Sequence, residues 1–441
     1  MSSQNIRAKT FWALDSLKGK KIKNHFDDIR FINETNDSSL KIEKRKNHII
    51  NILNHTVTTT PFYKGYSNFK TLQDFPVIKK SIIQENFEQF KSQSYLKKPM
   101  HKVATSGSTG VPFFLFQDDN KKNRNTADTL YYLNKANYTF GEKLYDIEVW
   151  RGINMNSSLK SWMRNLIYID VSRFNDFDIE TFLRKLEDDT SHKNLIGFAS
   201  AFESICMYLD KIESGILTNI KINSVISISE YLSSYVKASM EKYFNTTVVS
   251  RYSNEELGII AQQLPNKNEE FHINWASYHI EILKMDSDSP TEKGEMGRIV
   301  VTDLFNYCMP IIRYDTGDIS TFTESPTSSN PYPTLERIEG RKMDVIYDTK
   351  GEHISPFVIY TKFYNYYHLL KQYQFIQESK RNYTVKLNTH TGDFKYNHNL
   401  IKDIQNDFGK DANIKIVIVN EIPPLSSGKR KKVINNYTKN N

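Results

Sequence analysis

Cysteine is nearly missing from this chain: Cys206 and Cys308 are its whole complement in 441 residues. Two are too few for a disulfide framework, and there is no second pair to build a structural zinc site. Long apolar runs are missing too. No window approaches the roughly 18 consecutive apolar residues of a membrane-spanning helix. The stretch from Met1 to Asn24 mixes Arg7, Lys9, Lys18, Lys20, Lys21 and Lys23 with no apolar segment long enough for a secretory signal. These absences predict a cytoplasmic protein with no transmembrane segment. Extreme charge is also lacking: 59 basic residues against 51 acidic ones leave +8, scattered and partly C-terminal. None of the usual DNA- or RNA-binding motifs occurs, so nucleic acid is not an expected partner, and the mild positive potential would equally attract ATP or an acidic substrate. There are no internal repeats.

What is present is a chain long enough for two to three domains. Residues 1 to 55 read as a polar, helical lead-in whose apolar patch, Ile49, Ile50, Ile52 and Leu53, ends at Thr58-Thr59-Thr60-Pro61. From about residue 100 to 340, short β-rich stretches alternate with amphipathic ones, which is the pattern of an α/β architecture. Val149-Trp150, 194–197, 224–228 and 247–250 are the strand candidates, with helix candidates at 200–212 and 230–244. The segment Tyr231 to Tyr243 between two apolar strands predicts a parallel strand-helix-strand unit. That unit would set Ser229-Glu230 and Arg251-Tyr252 side by side at the carboxyl edge of a sheet, where ligands of open α/β sheets gather. After Gly340 the texture changes to short strands and helices, and a boundary at 341–345 leaves a C-terminal α+β domain of 345–441 behind an N-terminal domain of 1–340.

The richest stretch is Thr105-Ser106-Gly107-Ser108-Thr109-Gly110-Val111-Pro112. Hydroxyls and bare amides donate to phosphate oxygens, and glycine permits close approach, so the run reads as an anion cradle. A plain Ser/Gly surface linker is the alternative. The run lacks the lysine-serine ending of a Walker loop.

This loop resembles the phosphate-binding motif of adenylate-forming enzymes, and four later stretches resemble that superfamily's other signatures in the same order. Arg251-Tyr252-Ser253-Asn254-Glu255-Glu256-Leu257-Gly258 is similar to the aromatic-plus-glutamate motif, and Arg313-Tyr314-Asp315-Thr316-Gly317-Asp318 to the ribose-binding motif. Gly340-Arg341-Lys342-Met343-Asp344 with Gly351 resembles the hinge, and Pro424-Leu425-Ser426-Ser427-Gly428-Lys429 the catalytic-lysine loop. Thr60-Pro61-Phe62-Tyr63, Phe75-Pro76-Val77-Ile78-Lys79-Lys80, 196–200 and 225–230 resemble the phenylacetate-CoA ligase and CapK-like branch. The resemblance covers roughly residues 55 to 435. It implies a large N-terminal α/β domain of adenylate-forming type with a smaller, mobile α+β C-terminal domain.

It also implies a reaction. ATP and a carboxylic acid form an acyl-adenylate with release of pyrophosphate, and the acyl group then passes to a thiol such as CoA, or to an amine such as an amino sugar of a surface polysaccharide. Charge must be neutralised on both sides of the α-phosphorus, which calls for a cradle, a divalent cation and a positive side chain. Thr105, Ser106, Gly107, Ser108, Thr109 and Gly110 would form the cradle. Glu256 matches the glutamate that holds Mg2+, a hard cation suited to a carboxylate, with Glu255 as its rival. Tyr252, flanked by Arg251 and Ser253, would border the adenine, and Ser229 and Glu230 complete the nucleotide set; an ordinary buried tyrosine is the alternative.

Asp318 is an acceptor-only carboxylate suited to both ribose hydroxyls, or else the end of an Asx turn. Arg341 would support ribose or phosphate with its donor fork. Lys429 would bring a mobile positive charge to the reacting centre, although the run Lys429-Arg430-Lys431-Lys432 alone would be a solvated patch. Met343 stands where the family often has a charged hinge pivot, with Asp344 following. Tyr131, Tyr132, Trp150, Phe198 and Ala199 are acyl-pocket candidates, with plain core as the alternative for the aromatic ones. The acid itself and the oligomeric state leave no mark in the sequence.

Overall fold

The computed structural model describes residues 3–105, 113–148, 158–171, 174–265, 269–324, 327, 331–339, 346–351, 353–354, 357–423 and 431–437. Two compact units emerge. One comprises 1–144, 156–166 and 249–338, the other 145–155, 167–248 and 339–441. The mixed α/β class expected from the alternation of apolar stretches is the class observed.

The first unit begins with helices Ser3–Leu17, Lys21–Glu34 and Ser38–Thr59. The third starts where the Asp37 carboxylate accepts the amides of Ser39 and Leu40 at 3.0 and 3.1 Å, a side-chain cap on otherwise orphan donors. It stops just before Thr60-Pro61, because proline disfavours helix in the residue ahead of it. Buried guanidinium groups tie these helices down. Arg45 donates to the carbonyls of Trp275 and Tyr278 at 2.5 and 3.0 Å, and Arg124 donates to Asp28 at 2.6 Å.

Behind them lies a four-stranded sheet in the order Tyr278–Leu283, Gly297–Asp303, Tyr314–Phe322, Leu335–Glu339. Gly297–Asp303 is buried along its whole length, its apolar centre Ile299-Val300-Val301 together with Arg298, Thr302 and Asp303. One core of Ile52, Leu53, Tyr63, Phe75, Ile78, Ile299 and Val301 joins the third helix to this sheet. The unit also holds two antiparallel assemblies: the hairpin His101–Thr105 with Phe113–Gln117, and the Val248–Asn254, Gly258–Gln262, His272–Ile273 meander.

In the second unit the strands run in the order Leu166–Asp170, Lys143–Glu148, Lys193–Phe198, Ile222–Ile228. Lys193–Phe198 and Ile222–Ile228 pair in parallel, joined through the helix Ala199–Lys211. Parallel pairing demands such a crossover. Gly197 is obligatory here: a Cβ would stand 2.5 Å from the Ile147 carbonyl oxygen. The helix anticipated at 230–244 runs over Ser234–Phe244, set back to where Ser233 caps the Val236 amide. The C-terminal part is a sheet ordered Asn413–Ile418, Asn382–Thr389, Leu370–Gln377, Val433–Asn435, with helix Asn397–Phe408 packing Phe408 on Phe375 and Tyr383 at ring distances of 5.2 and 5.1 Å.

Candidate functional site

Two clusters of the expected residues form, one in each unit. In the first unit the strand Val248–Asn254 carries Arg251, Tyr252 and Ser253. Tyr252 pairs with Ala261 and Ser253 with Ile259, so the ladder slips by a bulge between them and re-aims the side chains that follow. The Asn254 side chain accepts the Leu257 amide at 2.8 Å, and Gly258 closes the turn at φ +104°, a left-handed conformation that suits glycine. This turn exposes Glu255 and buries Glu256.

The ribose-type motif is bent out of its sheet. Arg298 faces Ile319 while Val300 faces Asp315, so two steps along one strand span four on the other and Thr316-Gly317-Asp318 bulge outward. Asp315 accepts the Gly317 amide at 3.0 Å, and the Thr316 hydroxyl accepts the Asp318 amide at 3.2 Å. Arg298 donates to Asp315 at 2.9 Å and fixes the base of the bulge. Just ahead, Arg313 takes φ +51° and sets its guanidinium on both oxygens of Glu281 at 3.0 and 3.1 Å.

The two motifs meet. The Tyr252 hydroxyl donates to Asp318 at 2.6 Å and also reaches Thr316 at 3.2 Å. Burial, then the Asp318 charge, pushes the Tyr252 phenol well above its usual range, so it stays a donor. Arg251 is buried and donates to Gln262 at 2.8 Å, whose amide in turn donates to the Tyr132 carbonyl at 2.8 Å.

Four residues join the cluster that the sequence did not single out for it. Ile78 exchanges backbone hydrogen bonds with Arg313 and Asp315, each 2.9 Å, which stitches the Phe75-to-Lys80 segment alongside the ribose-type motif. Lys80, first residue of the helix Lys80–Glu85, then lies 3.6 Å from the Glu256 carboxylate. Gln117 donates to the Glu256 carbonyl at 3.0 Å, and Thr316 bridges Tyr252 to the bulge. The Phe75-to-Lys80 motif was legible as a branch mark; its proximity to Glu256 was not.

In the second unit Phe198 and Ala199 are buried at the junction of strand Lys193–Phe198 with helix Ala199–Lys211. Ser229 adopts φ +68° directly after strand Ile222–Ile228, turning Glu230 so that its carboxylate accepts the Ser200 amide at 2.7 Å. Glu230 thus caps the first turn of that helix.

Thr105 ends the strand paired with Phe113; Ser106, Gly107, Ser108, Thr109 and Gly110 lie outside the described residues, as do Trp150, Arg341, Met343, Asp344 and Lys429. Tyr131 and Tyr132 take the core alternative. They pack with Ile29, Ile32, Ala127 and Ile259, and Tyr131 stands edge-on to Phe26 at 6.3 Å, because the helix bearing them is covered by the helix Lys21–Glu34. Among the described residues, no group of three or more His, Cys, Asp or Glu side chains is arranged to hold a metal ion, and no helix is long and apolar enough to cross a membrane.

Residues 346–436 match the family described as the CapK C-terminal domain. A phenylacetate-coenzyme A ligase of Escherichia coli (strain K12) is 25% identical over 164 residues, which span 34% of this chain and 36% of that relative. Among solved structures, the fold is similar to a 2-hydroxyisobutyryl-CoA ligase in the postadenylation state in complex with R3-HIB-AMP, with TM-score 0.70 and 16% identity over 91% of each chain. It is also similar to ATP-bound MatB from Rhodopseudomonas palustris, with TM-score 0.54 and 15% identity over 75% of this chain and 66% of that one. At such identities the likeness is one of fold.

Proposed function

From a chain that has the adenylate-forming fold and a C-terminal domain of the CapK type, we propose an ATP-dependent acid-activating ligase. It joins a carboxylic acid to the α-phosphorus of ATP, releases pyrophosphate, and passes the acyl group to a thiol such as CoA. The observation that carries this reading is the 2.6 Å hydrogen bond from Tyr252 to Asp318. It brings the aromatic motif and the ribose-type motif, far apart in sequence, into direct contact.

Each described residue then has a task. Asp318, as a carboxylate, has no donor of its own, so it would accept from ribose hydroxyls, and the Tyr252 hydroxyl holds it in place. Tyr252 would stack on or border the adenine. Glu256 is the metal candidate, favoured over Glu255 by burial: a hard carboxylate suits a divalent ion, and the charge it would meet there is the one the Lys80 ammonium now supplies 3.6 Å away. Bound there, Mg2+ would neutralise phosphate oxygens. We assign the cradle to Thr105–Gly110, further nucleotide contacts to Arg251, Ser253, Ser229, Glu230 and Arg341, the transition-state cation to Lys429, and acyl contacts to Phe198 and Ala199. Residues 345–441 would be the mobile domain. The relatives' names support the thiol acceptor, both being CoA ligases.

The test is a panel of carboxylic acids assayed for pyrophosphate release with ATP, with and without CoA. Acid-dependent release completed by CoA to a thioester supports the proposal. Turnover that ignores CoA and needs an amino sugar would replace the acceptor by an amine. ADP as product would replace the whole reading by phosphotransfer.

A further inference from the structure

Within the second unit, Lys432 forms an ion pair with Glu203. The two come from distant parts of the chain. Glu203 sits one turn into helix Ala199–Lys211, the helix capped by Glu230; Lys432 directly precedes the strand Val433–Asn435, three residues after Lys429. The Lys432 backbone is held independently, because its carbonyl accepts the Phe375 amide at 2.8 Å while Gln374 donates to the Lys431 carbonyl at 2.9 Å. The Lys432 ammonium also stands 5.1 Å from the Tyr373 ring centroid, a cation–π distance. So the residue just beyond the catalytic-lysine motif is pinned by its backbone to the C-terminal sheet and by its side chain to the helix.

Around the pair lies a cavity of about 30 Å³ lined by Ala199, Ser200, Glu203, Glu230, Ser233 and Lys432. That is room for roughly one water molecule, not for an acid or a nucleotide. Glu203 lines this cavity beside Lys432. Its side chain is buried, and its Oε1 has no hydrogen-bond partner among the described residues. A buried carboxylate is costly unless compensated, and Lys432 is the cation bonded to it. A carboxylate kept in such a place has an ion-pairing task.

We infer that Glu203 and Lys432 are positioning residues: their ion pair latches the residue that leads into strand Val433–Asn435 to the helix that begins at Ala199, and thereby limits where Lys429, three residues earlier in the chain, is presented. The inference rests on the proposed adenylation for its kinetic consequence, but the latch itself can be read without substrate. Trypsin cleavage after Lys429 supplies that reading.

Four proteins decide it: wild type, Glu203→Gln, Lys432→Met and the exchange Glu203→Lys with Lys432→Glu, each checked for a wild-type melting profile. Expected are cleavage after Lys429 roughly tenfold faster in Glu203→Gln, return of protection in the exchange, and adenylation kcat down ten- to a hundredfold in both single variants with the KM for ATP within twofold of wild type. The exchange should recover most of kcat. Wild-type cleavage and wild-type kcat in Glu203→Gln, or an exchange as impaired as the single variants in both readouts, overturn the latch. If Glu203→Gln melts early, Lys432→Arg, which keeps the charge, must retain protection or the latch is wrong. Altered cleavage in a protein that adenylates no acid leaves the latch standing and removes the reaction proposed above.

Discussion

Lys80 lies 3.6 Å from Glu256, and the segment that carries it is hydrogen-bonded on both sides of Ile78 to the ribose-type motif. A lysine is thus built into the place where the proposed reaction needs a metal. Lysine and a divalent ion compete for one buried carboxylate. Replacing Lys80 by Met should therefore tighten binding of bare Mn2+ about tenfold, or about 1.4 kcal/mol, while Glu256→Gln should abolish it. Electron paramagnetic resonance titration of free Mn2+ measures this without turnover, and equal affinities in all three proteins would refute the assignment of Glu256.

Tyr252 serves Asp318 as a hydrogen-bond donor. Tyr252→Phe removes that one bond and should raise the KM for ATP about fivefold, or about 1 kcal/mol. Asp318→Ala removes the acceptor for the ribose hydroxyls and should weaken ATP binding by about 1.5–3 kcal/mol. Calorimetric titration of a non-hydrolysable ATP analogue separates the two. An Asp318→Ala protein that binds nucleotide normally would return Asp318 to the role of a turn residue.

Lys429 should matter to the chemical step alone. Lys429→Ala is expected to lower kcat for adenylation by about a hundred- to a thousandfold, roughly 3–4 kcal/mol of barrier, with ATP binding close to wild type. Quench-flow detection of acyl-adenylate checks it; an unimpaired burst would leave Lys429 as one residue of a basic patch.

The N-terminal helices are fastened by charge. Arg124 is fully buried and spreads its donors over Asp28, Ser277 and the Ala276 carbonyl at 2.6–2.7 Å. Breaking such a pair from one side strands the other charge, so Arg124→Met should cost about 3–5 kcal/mol of stability. Adding Asp28→Asn should recover part of it. Urea unfolding of the single and double variants gives the coupling.

Stability should also fall in mild acid. Burial, then the Arg124 charge, lowers His25 to about 4, and burial with Arg45 and Arg313 lowers His279 to about 3. Both stay neutral in the fold where the unfolded chain already takes up protons, below about 6.5. The unfolded state then binds more protons, so stability drops as pH falls from about 6.5 towards 4, by up to about tenfold in the folding constant per pH unit for each histidine. Urea midpoints at pH 7 and 5 test the sign, and His25→Gln should flatten the slope.

What the sequence disclosed and what it hid divide along one physical line. Strands Lys193–Phe198 and Ile222–Ile228 and the helix between them were legible because apolar runs of strand length flank an amphipathic stretch. The Arg251-to-Gly258 and Arg313-to-Asp318 motifs were legible as residue types in order. Their junction was not: the Tyr252–Asp318 bond depends on two bulges whose register shifts leave no periodic trace. Lys80 and Lys432 each look like any solvated lysine, since their partners Glu256 and Glu203 lie far away in sequence. Tyr131 was open in the sequence between two readings. Aromatics at helical spacing suit a pocket or a core, and only the covering helix Lys21–Glu34 decides for core.

The central claim is that a carboxylate oxygen of the substrate bonds to the α-phosphorus of ATP. Incubating the enzyme with ATP and an active acid labelled with 18O in its carboxylate, then reading the nucleotide by mass spectrometry, tests it directly. The account predicts AMP carrying one 18O per turnover. ADP, or AMP without the label, would contradict it.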